Sequence, residues 1–305
     1  MMRPLNSIGL CMGLLAMCSI SFGQQPAQQG GVPRVANVPP AVQGQNAPQG
    51  GPRVEMKISP QVEAILQTWE QKTSGIDRMK GKYRRYVYDH IFLVEKRAYG
   101  EYWFESPDKA RMDFYPDKEL PNPPQHKIGD KLFQVQSDQG ETWLCTGKEI
   151  LDINHEEKTY DRFQIPVAYQ GQNITNGPLP FLFGMKADEV KKKYMMTLGG
   201  MHKPESGQIH IVATPLVPAL RREFQRAEIL LNSNYLPTAV KLWDPAGSKQ
   251  TVYTFYEPDV NFTKWPLVSG PFRINLSGWK LINDHKAPAN ENDREARRPN
   301  GVMIK

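Results

Sequence analysis

Residues 99–114, YGEYWFESPDKARMDF, alternate bulky apolar with charged side chains, break at Pro107, and then alternate again. A period of two is the mark of a strand with one buried and one solvated face, so this stretch reads as two strands joined at Ser106-Pro107-Asp108. Tyr102, Phe104, Ala110, Met112 and Phe114 share one face. The other carries Glu101, Trp103, Glu105, Arg111 and Asp113, and its four charges mark it as the wet side. Glu101 and Glu105 read as solvated charge on that face rather than as an acid–base pair.

The same period recurs along most of the chain. Further strands are predicted at MKGKYRRYVYDHI, KLFQVQS, ETWLCTG, EILDIN and KTYDRFQI, and later at QIHIVATP, QRAEILLN, LPTAVKLWD and KQTVYTFYE. Asn232-Ser233-Asn234 and Asp244-Pro245-Ala246-Gly247 are the turns between the last three. Short strands in succession give a mainly β (α+β) fold built on an antiparallel sheet. A short charged helix is expected from about Lys186 to Lys193.

Ahead of the strands, SPQVEAILQTWEQKT has a capping Ser59, a Pro60 suited to the first turn, and Val62, Ile65, Leu66 and Trp69 on one helical face. This predicts an amphipathic helix over 59–73, packed on the sheet of its own domain. Residues 24–54 are rich in Gln, Pro and Gly, with no aromatic residue and no period that buries a face, and read as a disordered linker. The first 23 residues join an early Arg3 to an apolar run from Ile8 to Ile20 and small residues at Ser21 and Gly23, the form of a signal peptide. Residues 284–305 mix charges of both signs without a period and read as a disordered tail. The expected domain therefore spans 55–283, with 39% apolar residues in the chain as a whole to supply one substantial core.

Export would remove Cys11 and Cys18 and leave Cys145 alone, so packing and not an internal disulfide must stabilise the domain. A lipid anchor at Cys18 is disfavoured, because Met17 occupies the position where a lipoprotein signal needs a small residue. The net charge of +6 is spread over both signs without a basic block, so no nucleic-acid partner is expected. The six histidines have no metal-ligand spacing, and neither a nucleophile elbow nor a phosphate loop is present. His155, in INHEEK, reads as part of a solvated turn. Asn173, Asn261 and Asn275 match the acceptor pattern for N-glycosylation, which matters only in a host that glycosylates such sites.

The order of these features resembles the bacterial periplasmic lipoprotein carrier LolA and its relatives LolB and RseB over about residues 57–262. The features are the helix, the GEYWFESPDKARM pair, the DQGETW hairpin, the Pro-flanked GPLPFLF segment, IVATP and the DPAG hairpin. The resemblance implies a strongly curved antiparallel sheet forming an open, incomplete barrel, with an N-terminal helix and a short helical lid over an apolar cavity. It implies a non-enzymatic carrier with no cofactor, whose partner is a lipid or lipoprotein acyl chain. The implied ligand-binding residues are Tyr102, Phe104, Met112, Phe114 and Trp143 in the cavity, with Phe181, Leu182, Phe183 and Met185 at the lid. A permanently packed loop is the other reading of that lid segment.

Pro107 and Arg111 match positions of the family's pattern, while Ala110 and Met112 stand where it has aromatic residues. Ser106 replaces an arginine that holds the family's lid closed, so the same latch is not expected here. The segment PFRINLSGW, from Pro271 to Trp279, resembles the close of this domain in a set of exported proteins, with Phe272 and Trp279 expected to cover one open end of the sheet. An envelope sensor, binding a membrane-protein partner and carrying no cargo, is the alternative function. A monomer is expected in either case.

Overall fold

The computed structural model describes residues 58–167, 170–171, 186–265 and 270–286. The expected signal peptide with Cys18, the linker, and the lid residues Phe181, Leu182, Phe183 and Met185 lie outside these residues. Helix α1 (Pro60–Thr73) begins where the sequence places it. The Ser59 side chain accepts from the Val62 amide at 3.3 Å, and Val62, Ile65, Leu66, Trp69 and Thr73 are buried.

Fourteen strands follow among the described residues. They are β1 (Arg78–Asp89), β2 (Val94–Glu105), β3 (Lys109–Pro116), β4 (Gln125–Ile128), β5 (Lys131–Ser137), β6 (Glu141–Thr146), β7 (Glu149–Asn154), β8 (Thr159–Gln164), β9 (Tyr194–Leu198), β10 (Ile209–Pro215), β11 (Arg226–Leu231), β12 (Pro237–Trp243), β13 (Lys249–Val260) and β14 (Lys280–His285). Helix α2 (Ala187–Lys193) precedes β9, and the single turn α3 (Pro218–Arg221) follows β10. The strands form one sheet in the order β14-β8-β7-β6-β3-β2-β1-β13-β12-β11-β10-β9, with the β4–β5 hairpin attached beside β2. The path does not close on itself, which makes the fold a mainly β open half-barrel.

Two pairings depart from the antiparallel expectation: β14 lies parallel to β8, and β5 parallel to the first residues of β2. Both partners are far apart in sequence, so no tight turn dictates their direction. Strand β14 also carries the fold to His285, past the expected boundary at 283. The His285 ring stacks on Phe163 at 4.3 Å, and Arg162 grips the Asp284 carboxylate through two bonds of 3.0 and 2.7 Å.

One large core fills the inner face. Side chains from β1–β3, β6–β13 and the short helices meet the apolar stripe of α1 there. Two glycines make this packing fit. A Cβ on Gly100 would stand 1.8 Å from the Asp113 carbonyl oxygen and 2.8 Å from the Tyr83 hydroxyl, and one on Gly81 would meet the Tyr102 ring at 2.6–2.8 Å. Without those methyl groups, Tyr83 crosses β2 and donates to the Asp113 carbonyl oxygen at 2.7 Å.

A second, smaller core lies on the outer face. Leu144, Leu151 and Ile153 are buried there beneath Phe272, Ile274, Leu276 and Trp279. The Pro271–Trp279 segment therefore covers the back of β6 and β7, not an open end of the sheet.

Candidate ligand-binding site

Tyr102, Phe104, Met112, Phe114 and Trp143 come together on the inner face. Tyr102 sits opposite Met112 across β2 and β3, and Met112 opposite Trp143 across β3 and β6. Their exposures are 4%, 3%, 2%, 7% and 6%, so all five are packed into the core beneath α1. The Tyr102 ring meets Phe255 edge-on at 5.6 Å, and burial pushes its phenol well above the ordinary range. Phe114 meets Tyr83 edge-on at 5.3 Å. The Trp143 indole N–H is buried and finds no hydrogen-bond partner among the described residues.

The roof over this face is joined to α2 by polar ties. Glu70 of α1 accepts the Ala187 amide at 2.9 Å, capping the first turn of α2. Glu63 of α1 binds Lys191 of α2 at 2.6 Å. Helix α2 starts two residues after the expected lid, so α1 is tied to the element that directly follows that segment.

One end of the inner face is polar. Arg85 projects inward from β1, 2.8 Å from Asp138 and 3.3 Å from Glu141, with its guanidinium 4.0 Å over the Phe114 ring. Burial alone would favour the neutral form of Arg85, but the two carboxylates outweigh it and raise its pKa. Its Nε is buried without a hydrogen-bond partner among the described residues.

The face that alternation marks as wet is largely covered. Asp113 is 5% exposed, accepts from the Thr142 hydroxyl at 2.7 Å and from Arg111 Nε at 2.9 Å. Arg111 in turn donates to the Pro271 carbonyl at 2.8 Å. Glu105 accepts from the Trp265 indole at 2.9 Å and from Lys109 at 2.8 Å. Burial would raise its pKa, but those two donors outweigh burial and lower it. The C-terminal segment supplies two of these partners, Pro271 and Trp265, and β3 and β6 supply the rest, so residues of alternating polarity become a largely covered face.

His155 is exposed, as expected, yet its Nε2 lies 2.8 Å from the Thr142 hydroxyl and its ring meets Trp279 edge-on at 5.5 Å. Thr142 donates its hydroxyl proton to Asp113, so the histidine is the donor in this chain and Thr142 is not poised as a nucleophile. Cys145 is buried, and burial pushes its thiol up to about 11, away from the thiolate form that does chemistry. Among the described residues, no three His, Cys, Asp or Glu side chains are grouped to hold a metal. Asn261 is committed to structure, since its amide accepts from the Asp77 N–H at 2.8 Å and donates to the Gly75 carbonyl at 2.7 Å. Outside the core, an open groove of about 440 Å³ runs between Lys82, Tyr99, Gly100, Glu101, Tyr115 and Tyr256.

No helix among the described residues is long and apolar enough to cross a membrane. No protein-family model matches the sequence, and no curated protein matches it. Solved structures of similar architecture exist. An uncharacterised conserved protein from Thermus thermophilus shares 11% identity at a TM-score of 0.40, covering 73% of this chain and 99% of its own. The structure of the Pseudomonas aeruginosa MucA/MucB complex gives 11% and 0.35, covering 72% of this chain and 63% of the matched one. A LolA superfamily protein from Nitrosomonas europaea gives 9% and 0.31, covering 66% and 94%.

Proposed function

We propose that the protein is an exported, non-enzymatic binder of the apolar part of an amphiphile, a lipid or a lipoprotein acyl chain, taken up on the inner face as α1 gives way. The observation that carries this reading is the apolar inner face itself. It runs from Trp143 through Met112 and Tyr102 to Phe255 and is roofed by a helix whose polar edge is joined to the next helix through Glu63 and Glu70. An acyl chain burying about eight methylenes there gains about 6 kcal/mol before the entropic cost of association, an affinity suited to handover. The Trp143 N–H offers such a ligand's ester or amide oxygen a partner.

The tight packing of the same face favours a second reading. With Tyr102, Phe104 and Met112 all under 5% exposed, a protein that never opens is a sensor or partner-binding module with a filled core. The experiment that separates the two is native mass spectrometry of the chain purified without detergent from a membrane-bearing host, followed by organic extraction. A copurified acyl lipid supports the carrier or binder. A clean apo mass, with no uptake of added lipid, overturns it in favour of the sensor.

A further inference from the structure

At one end of the sheet, two hairpins hold large apolar side chains out in solvent. In the β1–β2 turn, Ile91 is 68% and Phe92 75% exposed, and in the β4–β5 hairpin Ile128 is 40% and Leu132 49% exposed. The parallel pairing of β2 with β5 sets Val94 beside Gln134, and Gln134 donates to the Leu93 carbonyl at 2.7 Å. Both tips therefore project from the same end of the molecule.

Neither tip is loose. The Asp89 carboxylate accepts the amides of Ile91 and Phe92, both at 3.0 Å, and is itself 3.5 Å from Lys249. The second hairpin is fixed to the first by Phe133, fully buried and edge-on to His90 at 5.4 Å, and by His126 against the fully buried Glu95. A built turn that presents two bulky apolar side chains to water is costly to a protein that leaves them there.

We infer that this end is a docking surface for a bilayer carrying anionic headgroups. The charge pattern selects that occupant. In the second hairpin each exposed aliphatic residue faces a lysine across the ladder, Ile128 opposite Lys131 and Leu132 opposite Lys127. Both lysines are exposed and form no ion pair among the described residues; Asp130 at the turn is the one carboxylate between them. Apolar side chains at the extreme tip enter the headgroup boundary, while lysines on both faces of the hairpin stay at the level of lipid phosphates. This inference is independent of what the inner face binds.

The test is co-sedimentation of the full chain with vesicles of phosphatidylcholine alone and of phosphatidylcholine mixed with phosphatidylglycerol, at low and high salt. Binding is expected to the mixed vesicles and to fall with salt. Phe92→Ser should weaken it about tenfold, and Lys127→Gln and Lys131→Gln by roughly fivefold each. These positions are exposed, so thermal melting should not move, and Ile91→Ser serves as the second variant if it does. Absence of binding to anionic vesicles, or a Phe92→Ser chain that binds as the parent does, overturns the inference. So does light scattering that shows a dimer dissolved by Phe92→Ser, which would make a second copy the occupant. A clean apo mass in the lipid-extraction experiment leaves it standing.

Discussion

Arg111 and Pro271, 160 residues apart, are joined by a 2.8 Å hydrogen bond from the guanidinium to the backbone carbonyl. The same guanidinium holds the buried Asp113 at 2.9 Å, so a single side chain neutralises a carboxylate in the sheet and fastens the C-terminal segment over it. Arg111→Ala removes both bonds and leaves Asp113 with Thr142 as its remaining close donor. The expected cost is about 2–4 kcal/mol, from lost charge-assisted bonds and an uncompensated buried charge. Urea unfolding measures it, and limited proteolysis should show cleavage near residues 271–279 well before the sheet is cut. An unchanged proteolytic pattern would mean that the apolar contacts of Phe272 and Trp279 hold the segment without help.

Arg85 offers a sharper electrostatic test. Its removal leaves Asp138 and Glu141 facing each other at the polar end of the inner face. Arg85→Met is expected to lose about 3–5 kcal/mol, because breaking a buried pair strands its partner. Adding Asp138→Asn should recover part of that loss. The double-mutant cycle in urea checks this, and a purely additive result would argue that packing of Arg85 on Phe114 is the larger contribution.

The inner face was legible in the sequence because it obeys a single period. Tyr102, Phe104, Met112 and Phe114 alternate strictly, and all four point into the core. The helix over 59–73 was legible for the same reason, with its cap, its proline and its stripe in agreement. The outer face was misread because alternation reports polarity and not coverage. Glu105 and Arg111 look solvated until a segment 160 residues away supplies the Trp265 indole as a donor to the first and the Pro271 carbonyl as an acceptor to the second, and Asp113 is buried against Arg111 and Thr142. A signal for that cover was present, since TWLC in β6 and EILDI in β7 carry apolar side chains on both faces, the pattern of strands packed on two sides. Strands β4, β9 and β14 were missed: QHKI and KLINDH have no alternation and are defined by their partners, and YMMTL is five residues following directly on a helix. The exposed tip escaped because Ile91 and Phe92 sit in a turn, where a sequence gives no reason to expect bulky side chains in solvent.

Buried acids make the fold sensitive to alkali. Cys145 is held at about 11 by burial, against an ordinary value of 9.0, and burial raises the phenols of Tyr83, Tyr102 and Tyr194 in the same direction. The folded chain thus keeps protons that the unfolded chain releases. The contribution from Cys145 is complete below about pH 9 and is lost as pH rises to about 11, a change of about 2–3 kcal/mol. Denaturant titrations across that range should show stability falling, with a shallower fall in Cys145→Ala. At neutral pH the thiol should resist Ellman's reagent until the protein is unfolded. Rapid labelling of the native chain would show instead that the inner face opens readily around Cys145.

Glu70 tests whether the roof moves. Its carboxylate caps α2 by accepting the Ala187 amide at 2.9 Å, and it contributes no apolar surface to the core. Glu70→Ala is therefore expected to cost only about 1–2 kcal/mol. If uptake needs α1 to lift away from α2, the same change speeds entry and exit of a fluorescent fatty acid severalfold, with little effect on equilibrium affinity, since no group that touches the acyl chain is altered. Stopped-flow fluorescence measures both rates, and urea unfolding measures the cost. A core substitution such as Met112→Ala should behave differently, losing about 2–5 kcal/mol through the cavity it leaves. Loss of stability in Glu70→Ala with unchanged exchange rates would place the entrance elsewhere. Faster exchange at nearly constant affinity would identify the α1–α2 contact as the gate.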